Sequence, residues 1–546
     1  MLLQHEISAR ARENPEAPAL AYKDTRLTYR ELDETSNRLA HLLVHAGCRP
    51  GDRIGLLMPK APWAIVSLLA TLKADAICVP MNSSNPVPRQ AKLLELAECR
   101  CVLAGGKPAA NLAEILAAAT LRQPPIIGWL DEEAREPARV AAFTQADLAA
   151  YPARAREYQN DEDAAAEILF TSGSTGIPKG VVITHSGIAH CVRWARDYFG
   201  VQRTDRLSLH SSLHFDLATF DTFTALSSGA ELNIVPAELN TLPHKLAQFI
   251  RTNRLTQWLS VPAALNLMAN FDVLEPSDFP TLRRVIFGGE VLPTAALMHW
   301  MERLPHVQFT NIYGPTETTI CSTYYTVARC PADRREPIPL GNACPGEQLL
   351  VLDRNLERVP PGTIADLYIR GVGLSPGYWR EPDKTRAVFI EHRWPDGYRD
   401  RLYKTGDLAS YGPDGLLHFH GRADTQIKCR GYRIELGDIE SALGTLAGLR
   451  ESAVVAIPSE GFEGSLICCA YAPAPEQPTS PRELRLALQA QLPAYMLPAR
   501  WRQYESLPRN ANDKVDRVQL KQDFMPAATS APNPTLSMQQ PVEGTL

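Results

Sequence analysis

What this chain lacks narrows its role before any motif is read. No window of its 546 residues approaches the roughly eighteen uninterrupted apolar positions of a membrane-crossing helix. Its start, Met1-Leu2-Leu3-Gln4-His5-Glu6, has neither the positive charge nor the apolar run of a secretion signal. No long basic run is present to follow a nucleic-acid backbone or an anionic membrane, and 56 basic against 61 acidic residues leave a formal charge of −5. Nucleic acid and membranes are therefore not expected as partners, and the cytoplasm is the expected address. Cysteines number eleven, but the close pairs Cys99/Cys101 and Cys468/Cys469 lack the two-residue spacing and partner pair of a zinc site, so reduced structural thiols are expected.

What the chain does contain is a composition ordinary for a folded protein, 45% hydrophobic and 21% charged, at a length suited to about two to four domains. Thr28 followed by Glu31 is a capping-box pattern opening a helix to residue 43, after which 53–58 predicts a strand, 62–72 a helix and 77–79 a strand. Further strands are predicted at 165–170, 206–210, 231–235, 257–261, 284–287 and 307–312, with helical periodicity between most of them. In 187–199, Ile188, Cys191, Val192, Ala195 and Phe199 share one face. Strands alternating with helices argue for an α/β fold with mostly parallel sheets covered on both faces. After Gly346 the strands shorten and Gly and Pro turns multiply, which predicts a smaller β-rich part completing a large N-terminal unit, residues 1–420. Residues 421–524 read as a small α+β C-terminal unit, with strands at 453–457 and 466–472 and helices at 437–446 and 481–492. The Pro-, Ser-, Thr- and Gln-rich stretch 525–546 is expected to be disordered.

One loop interrupts this pattern. In Thr171-Ser-Gly-Ser-Thr-Gly-Ile-Pro-Lys-Gly180, the hydroxyls of Thr171, Ser172, Ser174 and Thr175 are donors, while Gly173, Gly176 and Gly180 let the backbone approach a ligand closely. Such a loop suits phosphate oxygens. It is not a Walker A loop, because Gly180 follows Lys179 where that motif needs Ser or Thr for magnesium. A flexible surface linker has a similar composition, so other motifs must decide.

Six further stretches do. They are Asn311-Ile-Tyr-Gly-Pro-Thr-Glu317, Gly371-Val-Gly-Leu-Ser-Pro-Gly-Tyr-Trp379, Tyr403-Lys-Thr-Gly-Asp-Leu408, Gly421-Arg-Ala-Asp424, Lys428-Cys-Arg-Gly-Tyr-Arg-Ile-Glu-Leu-Gly437 and Asn512-Asp-Lys-Val-Asp-Arg517. With the loop, in this order and spacing, they resemble the signature of the adenylate-forming superfamily, which joins acyl-CoA synthetases, luciferase-like enzymes and the adenylation domains of peptide synthetases. The resemblance runs from about residue 27 to 520, and the wording of 428–437 is nearest the peptide-synthetase branch.

The chemistry implied explains the residue types. A carboxylate must attack the α-phosphate of ATP while pyrophosphate leaves, so the site must neutralise charge and align two anions. By the resemblance, the loop from Thr171 to Lys179 holds the departing phosphates, Tyr313 covers the adenine, Glu317 binds Mg2+, Asp407 accepts from the ribose hydroxyls, and Arg422 lies at the ribose side. Thr316 and Lys428 belong to the same nucleotide site. Lys514, on a mobile C-terminal domain turning about a hinge at Asp424, is the expected catalytic residue, its ammonium placed where charge shifts in the transition state. Asp513 and Asp75 both stand where the family usually has glycine.

The substrate expectation rests on His214-Phe-Asp-Leu-Ala-Thr-Phe-Asp221. In the peptide-synthetase branch the aspartate matching Asp216 pairs with an amino acid's α-ammonium; the alternative is a helix N-cap ahead of 217–226. Other pocket positions carry over as Leu217, Phe220, Ile286, Gly288, Ile312, Ile320 and Cys321, with one more at Leu259 or Ser260. None is charged, so a small or medium apolar amino acid is expected, proline first, then alanine or a branched aliphatic residue. No phosphopantetheine attachment motif or condensation motif is present, so the expected partner is a separate phosphopantetheine-bearing carrier protein. An acyl- or aryl-CoA synthetase and a catalytically silent nucleotide-binding protein stand as the alternatives.

Overall fold

The computed structural model describes residues 2–82, 84–107, 111–131, 141–173, 177–394, 397–459, 465–474, 479–510 and 514–525. Ser174, Thr175, Gly176 and Asp513, and the expected tail beyond Met525, lie outside the described residues.

Two sheets carry the body of the molecule. In the first, six parallel strands run in the order Pro18–Tyr22, Glu231–Ile234, Arg206–Leu209, Gln257–Ser260, Arg284–Gly288 and Gln308–Tyr313, with antiparallel strands closing both edges. In the second, Phe143–Thr144, Ile126–Trp129, Cys99–Ala104, Arg53–Leu57, Ile77–Pro80 and Ala165–Thr171 are parallel, and Lys179–Thr184 folds back antiparallel on the last. The inner strands Ile77–Pro80, Glu231–Ile234 and Gln257–Ser260 are buried at every position, as strands covered on both faces must be.

The cover between the sheets is shared. Helices Tyr29–His45, Pro62–Lys73, His185–Phe199 and Asp216–Ser228 contribute to one hydrophobic core that also takes in Leu20, Leu209 and Leu232 from the first sheet and Ile54, Leu103 and Leu169 from the second. The first of these helices starts where the sequence places it. Thr28 Oγ1 accepts from the Glu31 backbone N–H at 3.2 Å, and the Glu31 carboxylate accepts from the Thr28 N–H at 2.8 Å, so two otherwise unpaired donors are satisfied reciprocally. Residues at the ends of parallel strands in both sheets, Pro80 and Thr171 in the second and Val261, Gly289 and Ile312 in the first, line one cleft, where ligands bind in open α/β folds.

The rest of the chain closes over those ends. A five-stranded antiparallel sheet spans Glu347–Leu352 to Leu417–Arg422. A hairpin pairs Gln426–Cys429 with Tyr432–Glu435 through a tight turn in which Arg430 (φ 53°) and Gly431 (φ 79°) are both left-handed, the geometry that matches strand twist. Last comes a three-stranded sheet of Leu449–Pro458, Ser465–Pro473 and Arg500–Gln503, flanked by Leu436–Gly444, Pro481–Gln489 and Arg517–Phe524.

The fold also accounts for Asp75. It is fully buried at φ 56°, a left-handed conformation that glycine adopts freely and aspartate tolerates. Unlike glycine it works as an acceptor: its two carboxylate oxygens take the backbone N–H groups of Gln159 (3.0 Å) and Asn160 (3.1 Å), pinning the segment ahead of strand Ala165–Thr171. Asp75→Ala leaves the part-buried N–H groups of Gln159 and Asn160 without their acceptor and keeps a side chain at positive φ. It is expected to lose about 2–3 kcal/mol in urea unfolding; a variant as stable as the parent would show that these bonds contribute nothing.

Candidate active site

The two sheets present their strand ends to one cleft. Thr171 closes Ala165–Thr171, and in the antiparallel register Lys179 lies directly opposite it, so the two ends of the hydroxyl loop are held side by side. Thr171 Oγ1 is buried with no hydrogen-bond partner among the described residues, and a Cβ added at Gly173 would collide with the Ile177 carbonyl. Ser172 Oγ donates to the Arg433 carbonyl at 2.8 Å.

Beside the loop sits Glu317, fully buried in the short turn after Gln308–Tyr313. Its Oε1 accepts from Tyr378 OH at 2.8 Å and lies 3.5 Å from Lys179 Nζ; its Oε2 accepts from Arg433 Nη1 at 2.7 Å. Lys179 also donates to Tyr378 OH at 3.0 Å. Burial alone would raise the Glu317 pKa, but Arg433 and Lys179 outweigh it and hold the carboxyl far below the usual range.

A second polar group gathers around Asp407. Its Oδ2 accepts a hydrogen bond from Tyr313 OH and its Oδ1 accepts from Arg422 Nη1 at 2.8 Å. Arg422 then grips Asp424 with two bonds, 2.8 and 2.5 Å, which joins the predicted ribose-side arginine to the predicted hinge. Lys428 Nζ stands 5.5 Å from the Tyr313 ring centre, and burial lowers its pKa.

The apolar end is built on Asp216. Phe215 is the N-cap of Asp216–Ser228, so Asp216 occupies the first helical turn and the N-cap alternative is overturned. Its Oδ2 accepts from Thr316 Oγ1 at 2.7 Å, and burial pushes its pKa up to about 6, outweighing that bond. Leu217, Ile312 and Ile320 line the cleft beside it. Phe220, Ile286 and Cys321 pack behind this wall with Leu259, Trp194 and Phe199 instead of lining it. Ile320 holds φ 73°, a strained value for a β-branched residue, which fixes its side chain at the wall.

Gly288 is likewise absent from the wall: its missing Cβ faces the Ile312 carbonyl of the adjacent strand. Its neighbour Gly289 does line the cleft, facing Leu217. Lys514 is not brought to the cleft. It is exposed, bonded through its backbone to Asn510. Sequence reasoning left without roles Arg433 and Tyr378, although the quoted motifs contain both, and it passed over Val261, Gly289 and Lys60. Lys60 Nζ donates to the carbonyls of Leu209 (2.9 Å) and His210, fastening the turn that leads to Asp216.

The hydroxyl-bearing residues Thr171 and Ser172, a tyrosine-bound aspartate, Asp407, and a carboxylate on an apolar wall, Asp216, share this cleft. The sequence profile of AMP-binding enzymes matches residues 7–379, and that of the AMP-binding enzyme C-terminal domain matches 438–514. The chain belongs to the AMP-binding enzyme family. It is 34% identical to the L-proline--[L-prolyl-carrier protein] ligase of Streptomyces coelicolor, over 93% of this chain and 94% of that protein. It is equally similar, 34% over 95% of this chain, to the dimodular nonribosomal peptide synthase of Bacillus subtilis, of which it spans only 21%. The Vibrio cholerae adenylation domain AlmE, solved in complex with glycyl-adenosine-5'-phosphate, superposes with a TM-score of 0.83 at 28% identity, over 95% of this chain and 97% of that one. This AMP-binding enzyme thus shares its fold with a solved adenylation domain. Among its described residues no helix is long and apolar enough to cross a membrane.

Gly288 gives this AMP-binding enzyme a direct test of its strand packing. Gly288→Ala forces Ile312 and its carbonyl aside, so a lower melting temperature and loss of activation of every acid alike are expected, rather than a shift in substrate size. A stable variant with altered size preference would place Gly288 in the pocket after all.

Proposed function

We propose that this enzyme activates an amino acid with a small or medium apolar side chain, proline first and alanine or a branched aliphatic next, to its aminoacyl-AMP. Pyrophosphate is released, and the aminoacyl group passes to the phosphopantetheine thiol of a separate carrier protein. The reaction is assigned to the cytoplasm, where eleven unpaired cysteines persist as thiols. The observation that carries this reading is Asp216, an acidic side chain beside the apolar wall of Leu217, Ile312 and Ile320. An ammonium placed there gains a charged partner, and an apolar side chain gains the wall. The likeness to a prolyl-carrier ligase over nearly its whole length supports proline, and the glycyl adenylate held by AlmE supports an amino acid.

The residues fit ATP and magnesium. Thr171 Oγ1 is a buried hydroxyl without a described partner, and Thr171, Ser172, Gly173 and Lys179 of the loop would hold phosphates, with Ser174, Thr175 and Gly176 assigned by sequence. No described group of three or more His, Cys, Asp or Glu could hold a metal by itself, so Glu317 would share Mg2+ with phosphate oxygens, the mode magnesium favours. Bound there, the ion would neutralise charge on the departing phosphates. Tyr313 and Thr316 would flank the nucleotide, with Asp407 and Arg422 at its ribose and Lys428 near its adenylate. Lys514 is assigned the catalytic role, reaching the cleft after rotation about Asp424.

The test is Asp216→Asn. It should cost about 3–5 kcal/mol in kcat/KM for amino acids while ATP binding is unchanged, since a buried ammonium loses its partner. Because Asp216 titrates near 6, the parent's kcat/KM for the amino acid should fall as pH drops below that value, where the carboxyl is protonated, and the variant should lack this limb. Amino-acid activation equal to the parent's would overturn ammonium recognition and favour an acyl-CoA synthetase.

A further inference from the structure

The apolar wall of the cleft includes one residue held in a conformation that its own side chain disfavours. Ile320 is the centre of a γ-turn: the Cys321 N–H donates to the Thr319 carbonyl, two residues back, at 2.8 Å, and φ at Ile320 is 73°. Thr319 is left-handed as well, at φ 55°, and among the described residues no other two adjacent non-glycine residues share that region. A γ-turn with positive φ is rare and strained, the more so on a β-branched residue, so the surroundings must hold it. They do so through Glu347, which lies outside every motif of the site. Thr319 Oγ1 donates to the Gly373 carbonyl at 2.7 Å, and the Gly373 N–H donates to Glu347 Oε1 at 2.7 Å. Thr319 and Glu347 are both buried, and a Cβ added at Gly373 would stand 2.7 Å from Glu347 Oε1 and 2.7 Å from the Thr318 carbonyl, so no side chain fits between the turn and the carboxylate. Gly314 is as tight on the other side, where a Cβ would reach the Ile320 carbonyl at 2.6 Å.

We propose that Glu347 and Thr319 are positioning residues for acid selection: through Gly373 they hold the turn at Ile320, and with it the place of the Ile320 side chain on the apolar wall. Neither residue lines the cleft itself. Losing either bond lets the turn relax toward an ordinary φ, which carries the Ile320 side chain off the wall and leaves the pocket less able to tell a small acid from a larger one. The nucleotide half keeps its own support, because the N–H of Ser375, two residues on from Gly373, donates to the Glu317 carbonyl at 2.9 Å. The inference rests on the reading of the wall of Leu217, Ile312 and Ile320 as the acid pocket, and it is independent of Asp216.

Pyrophosphate release by the full-length enzyme with proline and with leucine, at saturating ATP, reads the effect. Thr319→Val, of nearly the same volume, and Glu347→Ala should each raise the KM for proline roughly tenfold and shift the ratio of kcat/KM between the two acids roughly tenfold in favour of leucine, as expected for one buried hydrogen bond lost. The KM for ATP should not move. Thr319→Ser and Glu347→Gln, which keep the donor and the acceptor, should restore both readings. Should Thr319→Val or Glu347→Ala fail to fold, the other decides alone. Parent-like selectivity in a folded variant, or a loss shared equally by both acids, would overturn the proposal, since a residue that only supports the fold lowers the active fraction without moving the ratio. If the parent activates only acids without an amine, ammonium recognition falls, and the same ratio between cyclopentanecarboxylate and isocaproate still decides the role of Glu347 and Thr319. A parent that activates no acid would overturn the pocket reading and this proposal together.

Discussion

A carboxylate buried without water must find cations or lose its charge, and Glu317 meets that requirement by joining distant parts of the chain. Lys179 comes from the hairpin that ends the second sheet, Tyr378 from the segment ahead of the antiparallel sheet's later strands, and Arg433 from the hairpin that follows Asp424. Each partner lies on a different structural unit, so the geometry of the cleft depends on this one charge being satisfied. Removing a single partner of such a group costs more than the pair contributes, because the remaining charge stays buried.

Asp216 is the counterpart with the opposite sign. It sits in the same cleft with one hydroxyl donor, Thr316, and no cation within ion-pair distance among the described residues, and its pKa is raised where that of Glu317 is depressed. Two carboxylates whose surroundings push their pKa values apart have separate tasks. Glu317 is saturated by the protein's own cations, Arg433 and Lys179, whereas Asp216 is an anion still short of its partner. That difference is the physical basis for assigning one to a metal and the other to a substrate ammonium.

Much of this was readable in the sequence. The parallel strands carry continuous apolar runs, as at Ile77–Pro80, and the capping box at Thr28 and Glu31 marked a helix start within a residue. The strands Pro18–Tyr22 and Cys99–Ala104 escaped, the first because it is short and exposed at one end, the second because Arg100 interrupts an otherwise buried run. Among the described residues, the motif residues Thr171, Ser172, Thr316, Asp407, Arg422 and Lys428 meet at one cleft while Lys514 does not, and the partners of these residues were not legible. Arg433 was legible only as part of a pattern, since its role arises from a contact with Glu317 more than a hundred positions away. Gly288 was misplaced by one residue because spacing cannot tell a glycine that lines a pocket from one that admits a neighbouring carbonyl. Asp75 needed the structure as well, for its acceptors serve a segment remote in sequence.

The central claim is that an ammonium on the substrate is what Asp216 recognises. It is tested most directly by following ATP-dependent pyrophosphate release across the twenty amino acids, with cyclopentanecarboxylate and a set of fatty and aryl acids alongside. The account predicts release with small or medium apolar amino acids, greatest with proline, and little with cyclopentanecarboxylate, which keeps the ring and carboxylate but leaves the aspartate unpaired. Release driven by acids without an amine, with no response to any amino acid, would contradict it.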